Sequence, residues 1–171
     1  HCKSELTKRN MDRAWATKYD SSIRATIRIA KQVPVLVNYS ANGVKYQKNL
    51  ASNDLALIEK IENSDVPYWF PSERMMEGGE TRRNDPIGLT HVHHFYTKRS
   101  LWVLSALLHK TSLMPNALMR SFCRFLFQQW AIGLSKLNRY SPTHFSQNNR
   151  NLSGTLYVGS RISEVSPDYA F

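Results

Sequence analysis

The stretch from Tyr68 to Leu108, YWFPSERMMEGGETRRNDPIGLTHVHHFYTKRSLWVLSALL, divides into two halves of opposite character. Pro71 to Asp85 is polar, carries Gly78-Gly79 and holds three arginines, Arg74, Arg82 and Arg83. Ser100 to Leu108 is almost wholly apolar and has the length of a helix. A chain containing both must set a long loop directly against the start of a buried helix. Thr97 is placed to cap that helix, its oxygen accepting from an amide of the first turn. The free amides and partial positive charge of a helix start favour an anion. Lys98 and Arg99 have the wrong sign for that position, so an anion resting there would relieve them. The bland alternative is a pair of solvated cations.

Charge is the next constraint. The chain has 23 Lys and Arg against 13 Asp and Glu, a net charge of +10. No acidic residue occurs between Asp85 and Glu164, where nine Lys and Arg fall. Solvated surfaces ordinarily mix both signs. A long acid-free basic segment reads as a face for a polyanion, nucleic acid first. A basic protein kept soluble by its charge, or a face for an acidic partner, is the competing reading. The aromatic content of 11% supplies a core and argues against disorder. No window reaches the ~18 apolar residues of a membrane span. The start, HCKSELTKRN, lacks the apolar region of a signal peptide. Cys2 and Cys123 do not form a disulfide framework, which points to a reducing cytoplasm.

Along the chain, residues 13–30 read as extended or irregular. Lys31 to Asn49 reads as a β-hairpin, with Val33, Val35, Val37 and Tyr39 on one face and a turn at Ala41-Asn42-Gly43. Ser52 or Asn53 caps a short amphipathic helix carrying Leu55, Ile58 and Ile61 and ending near Asn63. Pro67 and Pro71 keep Tyr68-Trp69-Phe70 out of regular helix, as core cover or as stacking faces. Met75 to Thr90 is a long loop. His91, His93 and His94 follow, as in a strand. With no matching cluster elsewhere, they read as polar side chains bonded to backbone or phosphate rather than as metal ligands. Ser100 to His109 is a buried helix. Asn116 to Leu137 is expected to be the core helix, with Arg120, Arg124 and Gln128 as its polar stripe. Cys123 is expected to pack as a small apolar residue. Lys136 to Ser153 reads as loop and Gly154 to Ser160 as a short strand. The fold class is therefore α+β: an N-terminal antiparallel hairpin or small sheet packed with a C-terminal group of about three helices.

Catalytic motifs are missing. There is no glycine-rich phosphate loop, no nucleophile elbow and no histidine-carboxylate zinc motif. The Asp-Pro at Asp85-Pro86 continues into Ile87, not into a second proline and an aromatic. The residues alone describe a nucleic-acid-binding module rather than a catalyst.

The segment VPYWFPSERMMEGGETRRNDPIGLTHVHHFYTKRSLWVLSALL resembles the central part of large bacterial site-specific DNA methyltransferases of the amino-methylating kind. In that family an aromatic-Thr-x-Arg-x-Leu turn opens a helix, as Phe95-Tyr96-Thr97-Lys98-Arg99-Ser100-Leu101 does here. KQVPVLVNYSANGVKYQK and LSGTLYVGSRISEVSP extend the likeness over most of the chain. The resemblance implies a parent enzyme that binds S-adenosylmethionine upstream and carries its Asp-Pro-Pro-aromatic motif downstream. This chain would then be a central piece, inactive alone, with residues 13–171 as one domain. Residues 1–12 would be the tail of a truncated zinc ribbon, with Cys2 an orphan ligand. The family extrudes its target base, which requires DNA contacts. Arg74, Arg82 and Arg83 would suit groove entry, and Lys98, Arg99, Arg120 and Arg124 would suit phosphates, with Tyr96 and Thr97 at the turn. The same turn resembles the helix that leans on the methyl donor, so its anion could be the donor's carboxylate. The alternative role is a scaffold that docks the two halves of the parent's catalytic domain, marked by an exposed apolar patch.

Overall fold

The computed structural model describes Thr7 and residues 11–170. Cys2 and most of the expected zinc-ribbon tail lie outside the described residues.

The described residues form two antiparallel hairpins, then three helices joined by irregular segments, then one helical turn. Strands β1 (Trp15–Asp20) and β2 (Ala25–Ala30) pair with Trp15 opposite Ala30 and Asp20 opposite Ala25. Residues 13–30 are thus a regular hairpin. The Arg28 guanidinium lies 4.5 Å from the centre of the Trp15 ring. Strands β3 (Leu36–Ala41) and β4 (Val44–Asn49) form the second hairpin. Its turn residues Asn42 and Gly43 both have positive φ, 52° and 78°. This is the backbone that a two-residue hairpin turn needs and that Asn-Gly supplies. Tyr39 and Tyr46 stack across the strands at 5.2 Å. Val33 and Val35 stand before the strand and are exposed. Each hairpin is a separate two-stranded sheet.

Helix α1 (Ser52–Glu62) starts one residue earlier than Ser52 or Asn53 capping predicts: Ala51 is the cap residue. Alanine has no side-chain acceptor, and the Asp54 carboxylate takes the Ala51 amide instead, at 2.9 Å. Helix α2 (Lys98–Ser112) is capped by Thr97, whose oxygen accepts from the Ser100 amide at 3.2 Å. Helix α3 (Ala117–Gly133) is capped by Asn116, which accepts from the Met119 amide at 2.9 Å. A single turn, α4 (Pro167–Ala170), closes the described chain.

Among the described residues the core consists of two small clusters. Leu89, Phe95 and Val158 form one, flanked by Ile29, Ile87 and Leu137. Leu104, Leu134 and Val165 form the other, flanked by Phe127 and Trp130. Tyr96 packs against both, and burial raises its phenol pKa. Three expectations are corrected. Helix α3 is not the core helix: among its residues only Gly133 is buried. Its apolar side chains point in every direction, and one neighbouring helix can cover only one stripe of them. Gly154 to Ser160 is irregular rather than a strand, although Val158 is in the core. Lys136, read as the start of a polar loop, is buried.

Candidate functional site

The residues expected to bind nucleic acid fall into two groups. The first is committed to carboxylates of the chain itself. Arg74 pairs with Asp85 at 2.8 Å and also donates to the Thr90 carbonyl. Arg83 pairs with Glu80 at 2.6 Å, and Arg82 approaches Glu77 at 3.8 Å. Thr155 donates to the second oxygen of Glu80, so this part of the loop is tied to residues 72 positions or more downstream. The long loop is therefore pinned, not free to swing into a groove.

The start of α2 does hold an anion, and it is Glu164. Thr97 donates to Glu164 Oε1 at 2.8 Å, Arg99 Nε donates to the same oxygen at 3.0 Å, and an Arg99 terminal nitrogen contacts Glu164 Oε2. The first acidic residue after Asp85 in the sequence occupies the position at which a phosphate or the methyl donor was expected. Lys98 turns away and donates to the Glu62 carbonyl at the end of α1, at 2.9 Å. A lysine suits a helix C-terminus, where the dipole is negative.

The second group is less engaged. Arg120 donates to the Met114 carbonyl at 2.8 Å. Arg124 is exposed and has no ion pair among the described residues.

The histidines form a site that the sequence did not reveal. Val92–Phe95 is a 3-10 turn rather than a strand, and it turns His93 and His94 inward together. Both meet Asp20 at the end of β1: His93 Nε2 at 2.7 Å and His94 Nε2 at 2.9 Å from the same oxygen, Oδ2. The Ser22 amide donates to Oδ1 at 3.0 Å. All three side chains are buried. The rings of His93 and His94 lie 4.4 Å apart, edge to face, with His91 5.1 Å from His94.

Asp20, His93 and His94 present three ligand atoms within 4.8 Å of one another, a spacing open to a metal ion. The surrounding hydrogen bonds favour protons instead. The Thr90 amide donates to His94 Nδ1 at 3.2 Å, which fixes the proton of a neutral ring on Nε2, facing Asp20. Metal-bound histidines donate their other N–H to an acceptor. Ligation through Nε2 would put that N–H against the Thr90 amide proton. It would also leave a donor at His93 Nδ1, which is buried without a partner. The arrangement is one carboxylate oxygen shared by two imidazoles. Burial drives the His94 pKa down to about 4, against the Asp20 hydrogen bond that raises it. Burial raises the Asp20 pKa, but the two histidine bonds outweigh it and hold the carboxyl at about 2. The His94 carbonyl in turn accepts from the buried Lys136 ammonium at 2.8 Å, and burial lowers that lysine to about 8. The cluster clamps the first hairpin to the segment leading into α2.

An uncovered apolar face lies on α3. Leu118, Phe122, Phe125, Gln129 and Ile132 alternate steps of four and three, the repeat of a helix–helix seam. All five are exposed, with Leu118 at 81% and Phe125 at 58%. Met119 adjoins them, also exposed. Helix α3 contains Arg120 and Arg124 and no acidic residue.

Among the described residues no helix is long and apolar enough to cross a membrane. Comparison with protein-family models, with curated proteins and with solved structures finds no match to this chain.

Proposed function

We propose that this chain is a docking module of a larger site-specific DNA methyltransferase, and that α3 receives an acidic amphipathic helix from the rest of that enzyme. The exposed four-three seam on α3 carries the proposal. Four large apolar side chains in register form a contiguous apolar face of the kind that marks an interaction site. The net charge of +10, with two arginines and no acidic residue on α3, favours a partner of opposite sign. Arg120 and Arg124 lie on the side of α3 away from the seam, so this preference acts through the field of the whole chain: a helix bearing Asp and Glu is attracted, whereas a second, equally basic copy is repelled. Within this reading S-adenosylmethionine and the chemistry belong to the parent's other segments, and the setting is the bacterial cytoplasm.

The test uses two designed helical peptides with the same leucine seam, one flanked by Glu and one by Lys, titrated by fluorescence anisotropy. The Glu-flanked peptide is expected to bind, and the Lys-flanked peptide at least tenfold more weakly. Phe122→Ser, at an exposed position with little expected effect on folding, is expected to abolish the difference. Equal binding of both peptides, or a dimer in sedimentation that Phe122→Ser dissociates, would overturn the acidic-helix reading.

A second reading, direct DNA contact, is supported by the cations that no carboxylate engages. Lys110, Arg124, Arg139, Arg150 and Arg161 have no ion pair among the described residues. Duplex binding through them would weaken with salt, with a log–log slope of about 0.9 per phosphate neutralised. Reversing Arg124 and Arg161 to Glu together should reduce that slope by about 2 in magnitude. Affinity that does not change with salt would remove this reading.

A further inference from the structure

We propose that the cleft between Arg139 and Arg150 is a binding site for a phosphate group. It is separate from α3 and does not depend on the docking proposal. Arg139, Tyr140, Ser141, Pro142 and Arg150 line a cavity of about 150 Å³. A water molecule occupies about 30 Å³ in the liquid, so the space admits a tetrahedral oxyanion.

The charge of the cleft is unbalanced. Both arginines are half-buried, and neither has a carboxylate partner among the described residues. Arg74, Arg83 and Arg99 all found one. A guanidinium drawn partly out of water favours an anion, and its planar fork matches phosphate oxygens. Arg139 keeps Nε on the Arg150 carbonyl at 3.3 Å, and its terminal nitrogens have no partner among the described residues.

The walls are held before any ligand arrives. Asn138, fully buried, accepts from the Arg150 amide at 2.7 Å and donates to the carbonyls of Gln147 and Ser163. The Gln147 side chain grips Ser141 at both its amide and its carbonyl, at 2.7 and 2.6 Å. The Arg161 carbonyl accepts from the Tyr140 amide at 3.1 Å. The loop bearing Arg150 also stores backbone strain: Gln147 and Asn149 have φ of 56° and 51°. Left-handed residues other than glycine are strained and cluster at binding sites. Two of them three residues or fewer from Arg150, locked by buried amides, describe a built pocket rather than a slack loop.

The phosphate is either free or part of a nucleic-acid backbone; the two sources share this chemistry and are separated by the test. Amide shifts of Tyr140 and Ser141 are followed by NMR as inorganic phosphate replaces chloride at constant ionic strength. Saturable shifts are expected. Arg150→Gln should weaken them at least tenfold, and Arg150→Lys should fall between. Arg150 serves the fold through its backbone amide and carbonyl, so both variants retain those bonds. Arg24→Gln, which removes the same charge from the exposed β1–β2 turn, should change nothing. A short DNA duplex that displaces phosphate from the wild type assigns the site to a phosphodiester backbone. A duplex that fails to displace it assigns the site to a free phosphate or phosphomonoester. Shifts that do not saturate, that chloride reproduces, or that Arg150→Gln leaves intact would overturn the proposal.

Discussion

Replacing Asp20 with alanine is expected to destabilise the protein by about 3 kcal/mol or more, the usual cost of removing one partner from a buried charged network. The carboxylate is the sole partner of both imidazole Nε2 atoms among the described residues, at 2.7 and 2.9 Å, and alanine leaves two donors buried and unpaired. For a domain of this size 1 kcal/mol corresponds to about 2–4 °C, so Tm should fall by about 6–12 °C. The same cluster sets a pH dependence. His94 titrates at about 4 in the folded protein against an ordinary 6.5, so between those values the unfolded chain binds the extra proton. Stability should therefore fall as pH drops from 6.5 to 4, by up to about 3 kcal/mol. Asp20 acts lower: its contribution is complete above 3.8 and disappears as pH falls through about 2. Denaturant titrations across this range check both statements. His94→Gln should flatten the profile between pH 6.5 and 4, and an unaltered slope would contradict the assignment. Added Zn²⁺ should not raise Tm; a rise that Asp20→Asn abolishes would show that the cluster holds a metal after all.

Gly88→Ala is expected to undock the first hairpin. Gly88 has φ of 82°, and a Cβ there would lie 2.8 Å from Ile29 Cα and nearer still to the Arg28 carbonyl oxygen. These are backbone atoms of β2, so no side-chain rotation can make room. Gly43 provides the control. Its φ is 78°, yet nothing lies within 4 Å of where its Cβ would be. Gly43→Ala should cost only the left-handed penalty, about 1–2 kcal/mol. Gly88→Ala should cost several times more and should accelerate amide exchange in Trp15–Asp20 and Ala25–Ala30. Equal losses for the two variants would mean that the hairpin is not seated as described.

What could be read in advance was local. The Thr97 and Asn116 caps each close a bond over three residues, and the Asn-Gly turn needs only its own two φ values. The α+β class followed from such signals. The candidate site was less legible because its partners are remote. Asp20 looks like any surface acid until the fold brings it to histidines 73 and 74 positions away. The acid-free segment suggested unclaimed arginines, yet Arg99 within it is held by Glu164, 65 positions away, while Arg74 and Arg83, ahead of that segment, had acids close by in sequence, at Asp85 and Glu80. Lys136 was misread because a buried lysine bonded to a carbonyl has no local signature. Helix α3 was misread for another reason. Its apolar content marks a surface to be covered, and composition alone does not say whether this chain supplies the cover.

The grip of Glu164 on the start of α2 ties exposure of that basic turn to loss of structure elsewhere. Val165, the next residue, is part of the second core cluster, and Ser163 is held by buried Asn138. A competitor for Thr97 and Arg99 cannot simply brush aside a side chain: it has to peel off a stretch of backbone anchored on both sides. Occupancy by an outside anion and melting of the C-terminal segment are thereby one event, and hydrogen exchange at Ser163 and Val165 would register it.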